Sequence, residues 1–412
     1  MLKSLLTSVF LLVIPVVVLA QQVLGFTLAE GKTKVQMPIE VHNNLVVLPV
    51  VLNGQLPLKF ILDTGVRTSI LTEKTFSDIL HLPYSRKLVI GGPGGEKIAE
   101  ALITNNVSFD MPGVHGEGHS LLVLDQDYLE LRNYLGTDVH GILGYELFSR
   151  FIVRIDYEKK LLTLMLPEKF KPSGRFKEFP ITIEDTKPYI QAKVKIADTT
   201  TVNAKLLIDS GASHGLILEP NSGKNIVTPD KNIKSIIGRG LGGVISGRIA
   251  RIHSLTLGSY QVANVIANFP DENSYTDTLK DSRVVLRNGA IGGEILSRFS
   301  VIFNFSKEKV YLKKNPSFRK KFYYSLSGLT LKAKGARLRS YEITDVRAGS
   351  AADKAGLLVG DLVLSVNGLP ASELDLNTVN GLFNLKPGKK VTVEISRKGE
   401  LIKKRFALEN QI

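Results

Sequence analysis

The chain has 412 residues, enough for two or three domains with cores of their own. Its 43% hydrophobic and 22% charged residues are those of a folded globular protein, and the absence of cysteine excludes disulfides, thiolate metal sites, a cysteine nucleophile and a lipoprotein anchor. Lys and Arg number 53 against 39 Asp and Glu, a net charge of +14, but they are scattered; the densest runs, Lys313-Lys314 and Arg319-Lys320-Lys321, read as a solvated linker and not as a nucleic-acid surface.

Residues 1–20 read as a signal peptide. Lys3 is the only early charge, an apolar run follows from Val9 to Leu19, and Val18 and Ala20 suit a signal-peptidase site. The stretch Leu5 to Ala20 is short for a membrane span and contains Pro15. The expectation is an exported chain, in the periplasm, secreted or at the cell envelope, with no stable membrane span after cleavage. Retention of the segment as an anchor is the alternative.

An internal repeat then sets the architecture. Lys59-Phe-Ile-Leu-Asp63-Thr-Gly65 matches Lys205-Leu-Leu-Ile-Asp209-Ser-Gly211. Gly141-Ile-Leu-Gly144 matches Gly289-Ala-Ile-Gly292, and Asp and the last Gly are 81 residues apart in one copy and 83 in the other. Between these landmarks each copy carries a glycine cluster: Gly91, Gly92, Gly94 and Gly95 in the first, Gly240, Gly242 and Gly243 in the second. Pro38-Ile39 and Pro180-Ile181 open the copies, and Glu158-Lys159-Lys160 and Ser306-Lys307-Glu308-Lys309 read as hairpin turns near their ends. Short runs of Val, Ile, Leu, Phe and Thr broken by Gly, Asn and Pro predict strands; short helices are expected only at Leu71 to Leu80 and Glu294 to Arg298. The predicted fold is mainly β, two similar lobes at 33–168 and 169–315 related by a pseudo-two-fold axis.

Each Asp leaves an apolar strand at a tight turn that Gly makes possible. One such turn is a weak signal, because turns favour Asp and Gly anyway. Two in matched contexts, meeting at a two-fold axis, put two carboxylates in contact, where they share one proton and titrate as a unit. Asp63 and Asp209 are therefore the candidate catalytic pair. Thr64 and Ser210 place hydroxyls to hydrogen-bond across the axis, and Gly65 and Gly211 complete the support.

These motifs resemble the retropepsin-type aspartic peptidases, in the bacterial single-chain form with two lobes. The resemblance covers roughly residues 35–315. It implies metal-free, cofactor-free hydrolysis of a peptide or protein substrate by water, with the two glycine clusters as flaps over the substrate. The chain departs from the family pattern after each turn, with Val66-Arg67 in copy one and Ala212-Ser213-His214 in copy two. Arg67 bears on substrate preference and is expected to lower nearby carboxylate pKa values. The competing reading is a catalytically inactive peptide-binding or scaffold protein that keeps the turns as structure.

Beyond Phe322 the character changes. Ser350 to Ala355 predicts a serine-capped helix stopped by Gly356, Asp361 to Val366 a strand, Asn367-Gly368 a hairpin turn, and Val391 to Ile395 with Lys403 to Leu408 a strand pair. The run resembles a bacterial PDZ domain, a small α+β barrel, over residues 322–410. That resemblance implies a peptide C-terminus bound along Gly328, Leu329, Thr330 and Leu331. A domain used only for packing or dimerisation is the alternative.

Other patterns rank lower. Gly211-Ala-Ser213-His-Gly215 fits a serine-hydrolase elbow, Gly238-Arg-Gly240-Leu-Gly-Gly243 a dinucleotide loop, and His115 with His119 part of a metal site. None accounts for the repeat.

Overall fold

The computed structural model describes residues 24–94, 99–272 and 286–412. The predicted signal segment 1–20 and Gly95 lie outside the described residues. Each lobe is built on one long hairpin. In lobe 1, Leu45–Leu52 pairs antiparallel with Leu56–Leu62. Asn53 and Gly54 join them at φ 50° and 64°, the left-handed turn that suits the strand twist. In lobe 2, Lys187–Lys195 pairs with Thr201–Ile208 in the same way.

The second strand of each hairpin runs into the sheet interior and is covered on both faces. Phe60, Ile61 and Leu62 are all buried, as are Leu206, Leu207 and Ile208, so these runs are continuously apolar. Gly141–Leu143 lies parallel to the first of these strands and Gly289–Ile291 parallel to the second. Gly141 and Gly289 let the chains approach: a Cβ would fall 2.3 Å from the Phe60 ring and 1.9 Å from the Ile217 carbonyl oxygen.

A six-stranded sheet joins the lobes, in the order Lys177–Pro180, Lys309–Lys314, Phe299–Asn304, Ile152–Asp156, Leu161–Met165, Lys34–Pro38. Its two central strands, one from each lobe, are antiparallel, and Arg154 stands opposite Ile302. Those residues are 148 positions apart, the same offset as Gly144 and Gly292, so the repeat axis passes through this pair. One apolar cluster runs through both lobes, with Phe148, Phe303 and Phe305 in ring contact at the seam.

The C-terminal sheet runs Leu329–Lys334, Ser340–Val346, Leu362–Val366, Lys390–Arg397, Glu400–Ala407, and encloses an apolar cluster of its own. Ser350 Oγ accepts from the Asp353 amide, capping the helix Ala351–Lys354, and Asn367-Gly368 turns at φ 54° and 79°. Phe322 and Ile412, near the predicted limits of this domain, pack instead into the cluster of the lobes.

Several elements go beyond the sequence expectations. Gly25–Leu28 adds a strand beside Val114–Leu124, ahead of the expected start of lobe 1. Helices also form at Leu131–Leu135, Tyr145–Arg150 and Leu376–Leu382. Each spans at most about two turns, too short for an apolar stripe to recur. The helix expected from Leu71 is shorter, Lys74–Ile79, because Ile70–Leu71 is drawn into the sheet against Gly141–Leu143.

Candidate active site

The two hairpin strands end side by side. The Asp63 amide donates to the Leu143 carbonyl (2.9 Å) and the Asp209 amide to the Ile291 carbonyl (2.8 Å), so the parallel Gly-x-x strand fixes each turn. Gly144 and Gly292 pass where a Cβ would meet the carbonyl oxygens of Val66 at 2.2 Å and His214 at 2.3 Å. The matched spacing in the sequence reflects this crossing.

Across the axis the turns hold each other. Thr64 Oγ1 donates to the Ile208 carbonyl (2.6 Å) and accepts from the Ser210 amide (3.0 Å). Reciprocally, Ser210 Oγ donates to the Leu62 carbonyl (2.8 Å) and accepts from the Thr64 amide (3.1 Å). Both side chains are fully buried. Thr64→Val would strand a buried carbonyl and a buried amide, an expected cost of about 2–4 kcal/mol in chemical denaturation, whereas Thr64→Ser keeps the hydroxyl and should stay within about 1 kcal/mol.

This grip presses the carboxyl groups of Asp63 and Asp209 into hydrogen-bonding contact. Gly65 N–H donates to Asp63 Oδ1 (2.6 Å) and Gly211 N–H to Asp209 Oδ1 (3.0 Å). Burial pushes both acids above the usual carboxylate range, and for Asp63 the neighbouring Asp209 charge adds to that rise. Arg287 and the amides of Gly211 and Ala212 oppose the rise at Asp209, and Lys187 acts on both acids. The pair therefore holds a proton between two non-equivalent carboxyls, the arrangement that activates a water without a metal.

The cations acting on the pair are not the one expected. Arg67 is exposed and its guanidinium pairs with Asp185 (3.3 Å) across the lobes; the cations that chiefly oppose the rise of the acids are Lys187 and, at Asp209, Arg287. Lys187 and Arg287 escaped the sequence reading. The signal was available as a break in the repeat. Asn43-Asn44 and Asp185-Thr186 turn alike, all at positive φ, so Leu45 corresponds to Lys187. His140 Nδ1 and Asn288 Oδ1 accept from the equivalent amides of Lys59 and Lys205, so Val139 corresponds to Arg287. Lobe 2 carries charge where lobe 1 is apolar. Arg287 Nε is held by Glu219 Oε1 at 2.9 Å.

The two glycine clusters meet tip to tip. Asn232–Gly240 and Gly243–Arg251 form the second hairpin, turning through Leu241 and Gly242. The Gly242 amide donates to the Pro93 carbonyl (3.0 Å) between Gly92 and Gly94. Side chains are barred there: a Cβ at Gly240 would lie 2.1 Å from Pro93 O, and one at Gly94 2.3 Å from Gly243 O. Leu241 reaches into an apolar cluster with Val66, Ile70 and Ile142, beside the Asp63 turn. Gly91 precedes this tip at the end of Arg86–Ile90.

The other patterns resolve into structure. Ser213 is exposed, and Gly211–Gly215 leads into the strand Leu216–Leu218, not into the helix that a nucleophile elbow requires. Gly238–Gly243 lies in the flap hairpin. His115 pairs with Asp110 and Glu117, and buried His119 with Glu146. Among the described residues no cluster of three His, Asp or Glu side chains suits a metal ion.

Gly328, Leu329, Thr330 and Leu331 start the edge strand of the C-terminal sheet, Gly328 at φ 84°. The Leu329 amide is taken up by Ser327 Oγ (3.3 Å).

Comparison with protein families agrees with this geometry. A family model described as aspartyl protease matches residues 48–147 and 192–293, one segment per lobe, each holding its Asp turn and its Gly-x-x-Gly strand. A PDZ domain model matches residues 342–397, beginning after the strand that carries Gly328 to Leu331. No curated protein matches the chain.

Proposed function

Since the two lobes are those of a retropepsin-like aspartyl protease and the C-terminal domain is a PDZ domain, we propose that the chain is an exported aspartic endopeptidase whose PDZ domain takes up a peptide. The observation that carries the catalytic reading is the buried Asp63–Asp209 contact, locked by four reciprocal hydrogen bonds from Thr64 and Ser210. Asp63 is the more buried of the two and keeps the proton; Asp209, whose rise the Arg287 charge opposes, is the base.

In this mechanism Asp209 takes a proton from a water held between the carboxyls as the water oxygen bonds to the scissile carbonyl carbon. Asp63 gives its proton to the carbonyl oxygen as the C=O π bond opens, so the product is a neutral tetrahedral diol. Asp209 then passes its proton to the amide nitrogen, Asp63 takes one back from a diol hydroxyl as C=O re-forms and the C–N bond breaks, and acid and amine leave with the pair in its starting state. The Gly65 and Gly211 amides hold Oδ1 of Asp63 and of Asp209 in place throughout. The flaps must part to admit substrate, because Gly242 and Pro93 close on each other.

Export rests on the leader pattern of residues 1–20, and none of the described helices is long and apolar enough to cross a membrane. Cell fractionation with N-terminal sequencing tests it. Recovery outside the cytoplasm with a start at Gln21 supports export with cleavage, a start at Met1 in the membrane fraction indicates the retained anchor, and a start at Met1 in the cytoplasm opposes export.

The catalytic reading is tested on denatured casein in the presence of chelator, with cleavage mapped by mass spectrometry. Cleavage by the parent and not by Asp63→Asn or Asp209→Asn supports it. Intact casein across about pH 3–8, the range over which such a pair changes protonation, would overturn it in favour of a non-catalytic peptide binder.

A further inference from the structure

The peptide-binding edge of the PDZ domain is already occupied, by lobe 1. Leu329–Lys334 is an edge strand: it pairs with Ser340–Val346 on one side only. A bound peptide would add as a strand on the other side, between this edge and the helix Leu376–Leu382. The short helix Leu131–Leu135 of lobe 1 sits there. Asn133 Nδ2 donates to the outward carbonyl of Ala333 (2.8 Å), one of the acceptors an added strand would need. Arg132 donates to the Ala336 carbonyl (3.0 Å), and Glu130 pairs with Lys332 with both side chains partly buried. Gly136, which ends the helix, packs so tightly on Leu376 that a Cβ there would come within 2.4 Å of it. The segment thus reaches from the strand edge to the start of the opposing helix.

The same helix holds the second flap. Arg239, in the flap hairpin, donates to the Tyr134 hydroxyl (2.9 Å) and stacks over its ring at 4.9 Å. Leu131 lines the apolar cluster that receives Leu241 of the flap tip. One five-residue helix is therefore gripped on one side by the PDZ edge and on the other grips the flap.

We propose that Glu130–Gly136 is a resident occupant of the PDZ groove, that an incoming peptide C-terminus displaces it from the far half of the groove, and that its displacement frees the second flap. The inference rests on reading Leu329–Lys334 as the peptide-binding edge and is independent of whether the dyad is active. None of these lobe 1 contacts falls on the carboxylate end of the groove, where the Gly328 amide donates to Ser325 and the Leu329 amide to Ser327 Oγ. A peptide carboxylate must exchange for those loop bonds before the chain behind it competes for the edge beyond Leu331. Binding energy for the peptide is opposed by the resident contacts, and this lowers apparent affinity by the fraction of chains in which the groove is open.

The test uses the full chain carrying Asp63→Asn, so that turnover plays no part. Glu130→Lys and Lys332→Glu each turn the resident attraction into repulsion; the double swap restores it with reversed polarity. The probe is a pooled library of random-sequence peptides with free C-termini, with the same pool amidated as control. Each single swap is expected to raise capture of the free-acid pool and hydrogen exchange along Leu329–Lys334 by about tenfold, and the double swap to return both to the starting level. Captured peptide should also raise exchange in the hairpin Asn232–Arg251. Equal capture by all four chains, failure of the double swap to restore, no capture by any chain, or capture that leaves the hairpin unchanged would each overturn the proposal.

Discussion

Asp63→Asn and Asp209→Asn are each expected to lower peptide turnover by about 1,000-fold or more, because either change removes half of a single proton-transfer unit. Asn can neither take a proton from water at position 209 nor supply one at position 63. The losses should be non-additive, the double variant being little worse than either single one. The same Asp63→Asn change is expected to stabilise the fold near neutral pH, by about 1–2 kcal/mol in urea unfolding, as removal of a buried acid at a strained functional site commonly does. The sign follows from the raised acid. In the unfolded chain Asp63 loses its proton at the ordinary carboxylate value; in the fold, burial and the Asp209 charge keep the proton on to higher pH. Stability of the parent is thus fullest below the unfolded value and falls as pH rises towards the folded one. Asn has no proton to lose, so its advantage should be present at neutral pH and disappear in acid. A variant that is less stable at neutral pH than in acid, relative to the parent, would contradict the raised acid.

The activity profile of the parent follows from the same pair. Turnover needs one proton on the two carboxyls, so it falls in acid when the pair takes up a second and falls at higher pH when it gives up the last. Removing the Arg287 field, with Arg287→Gln, should shift the acidic limb to higher pH, because that guanidinium opposes the rise of Asp209.

What the sequence disclosed was set by steric necessity. Gly141, Gly144 and their partners Gly289 and Gly292 recur because a neighbouring segment passes too close for any side chain, and such positions leave the same letters in both copies. The flap glycines were visible for the same reason: two backbones touch at Pro93 and Gly242. Charge is different. Lys187 and Arg287 act on the dyad through space and need no motif, so they surfaced only as departures from the repeat once turns and hydrogen bonds had aligned it. Arg67, adjacent to the turn in sequence, faces Asp185 across the interface instead. The helix Leu131–Leu135 is a single turn between an αL residue, Glu130, and Gly136; its apolar pattern is too brief to read, and its importance comes wholly from what it touches.

Gly211→Ala is expected to lower turnover by about 100-fold, and Gly65→Ala to be far milder on the fold, although the two glycines are equivalent in the repeat. An alanine Cβ at 211 would lie 2.1 Å from both Cγ and Oδ2 of Asp63, inside the carboxyl group. Asp63 is buried and gripped on both sides, so it cannot swing aside without breaking the contact with Asp209. Displacing a reacting group by about 1 Å costs on the order of 100-fold in rate, and overpacking adds about 1–3 kcal/mol of instability. At Gly65 the nearest atom is Asp63 Oδ1 at 3.1 Å, with Asp209 Oδ1 at 3.5 Å, a tight contact that a few tenths of an ångström relieve. The difference arises because the turns are not perfect mates: the Asp63 carboxyl leans over the lobe 2 turn, and the Asp209 carboxyl does not lean equally over Gly65. Thermal unfolding of the two variants measures this asymmetry directly. Equal destabilisation by both would mean that the two carboxyls lean alike over the opposite turns, against the unequal spacing at Gly65 and Gly211.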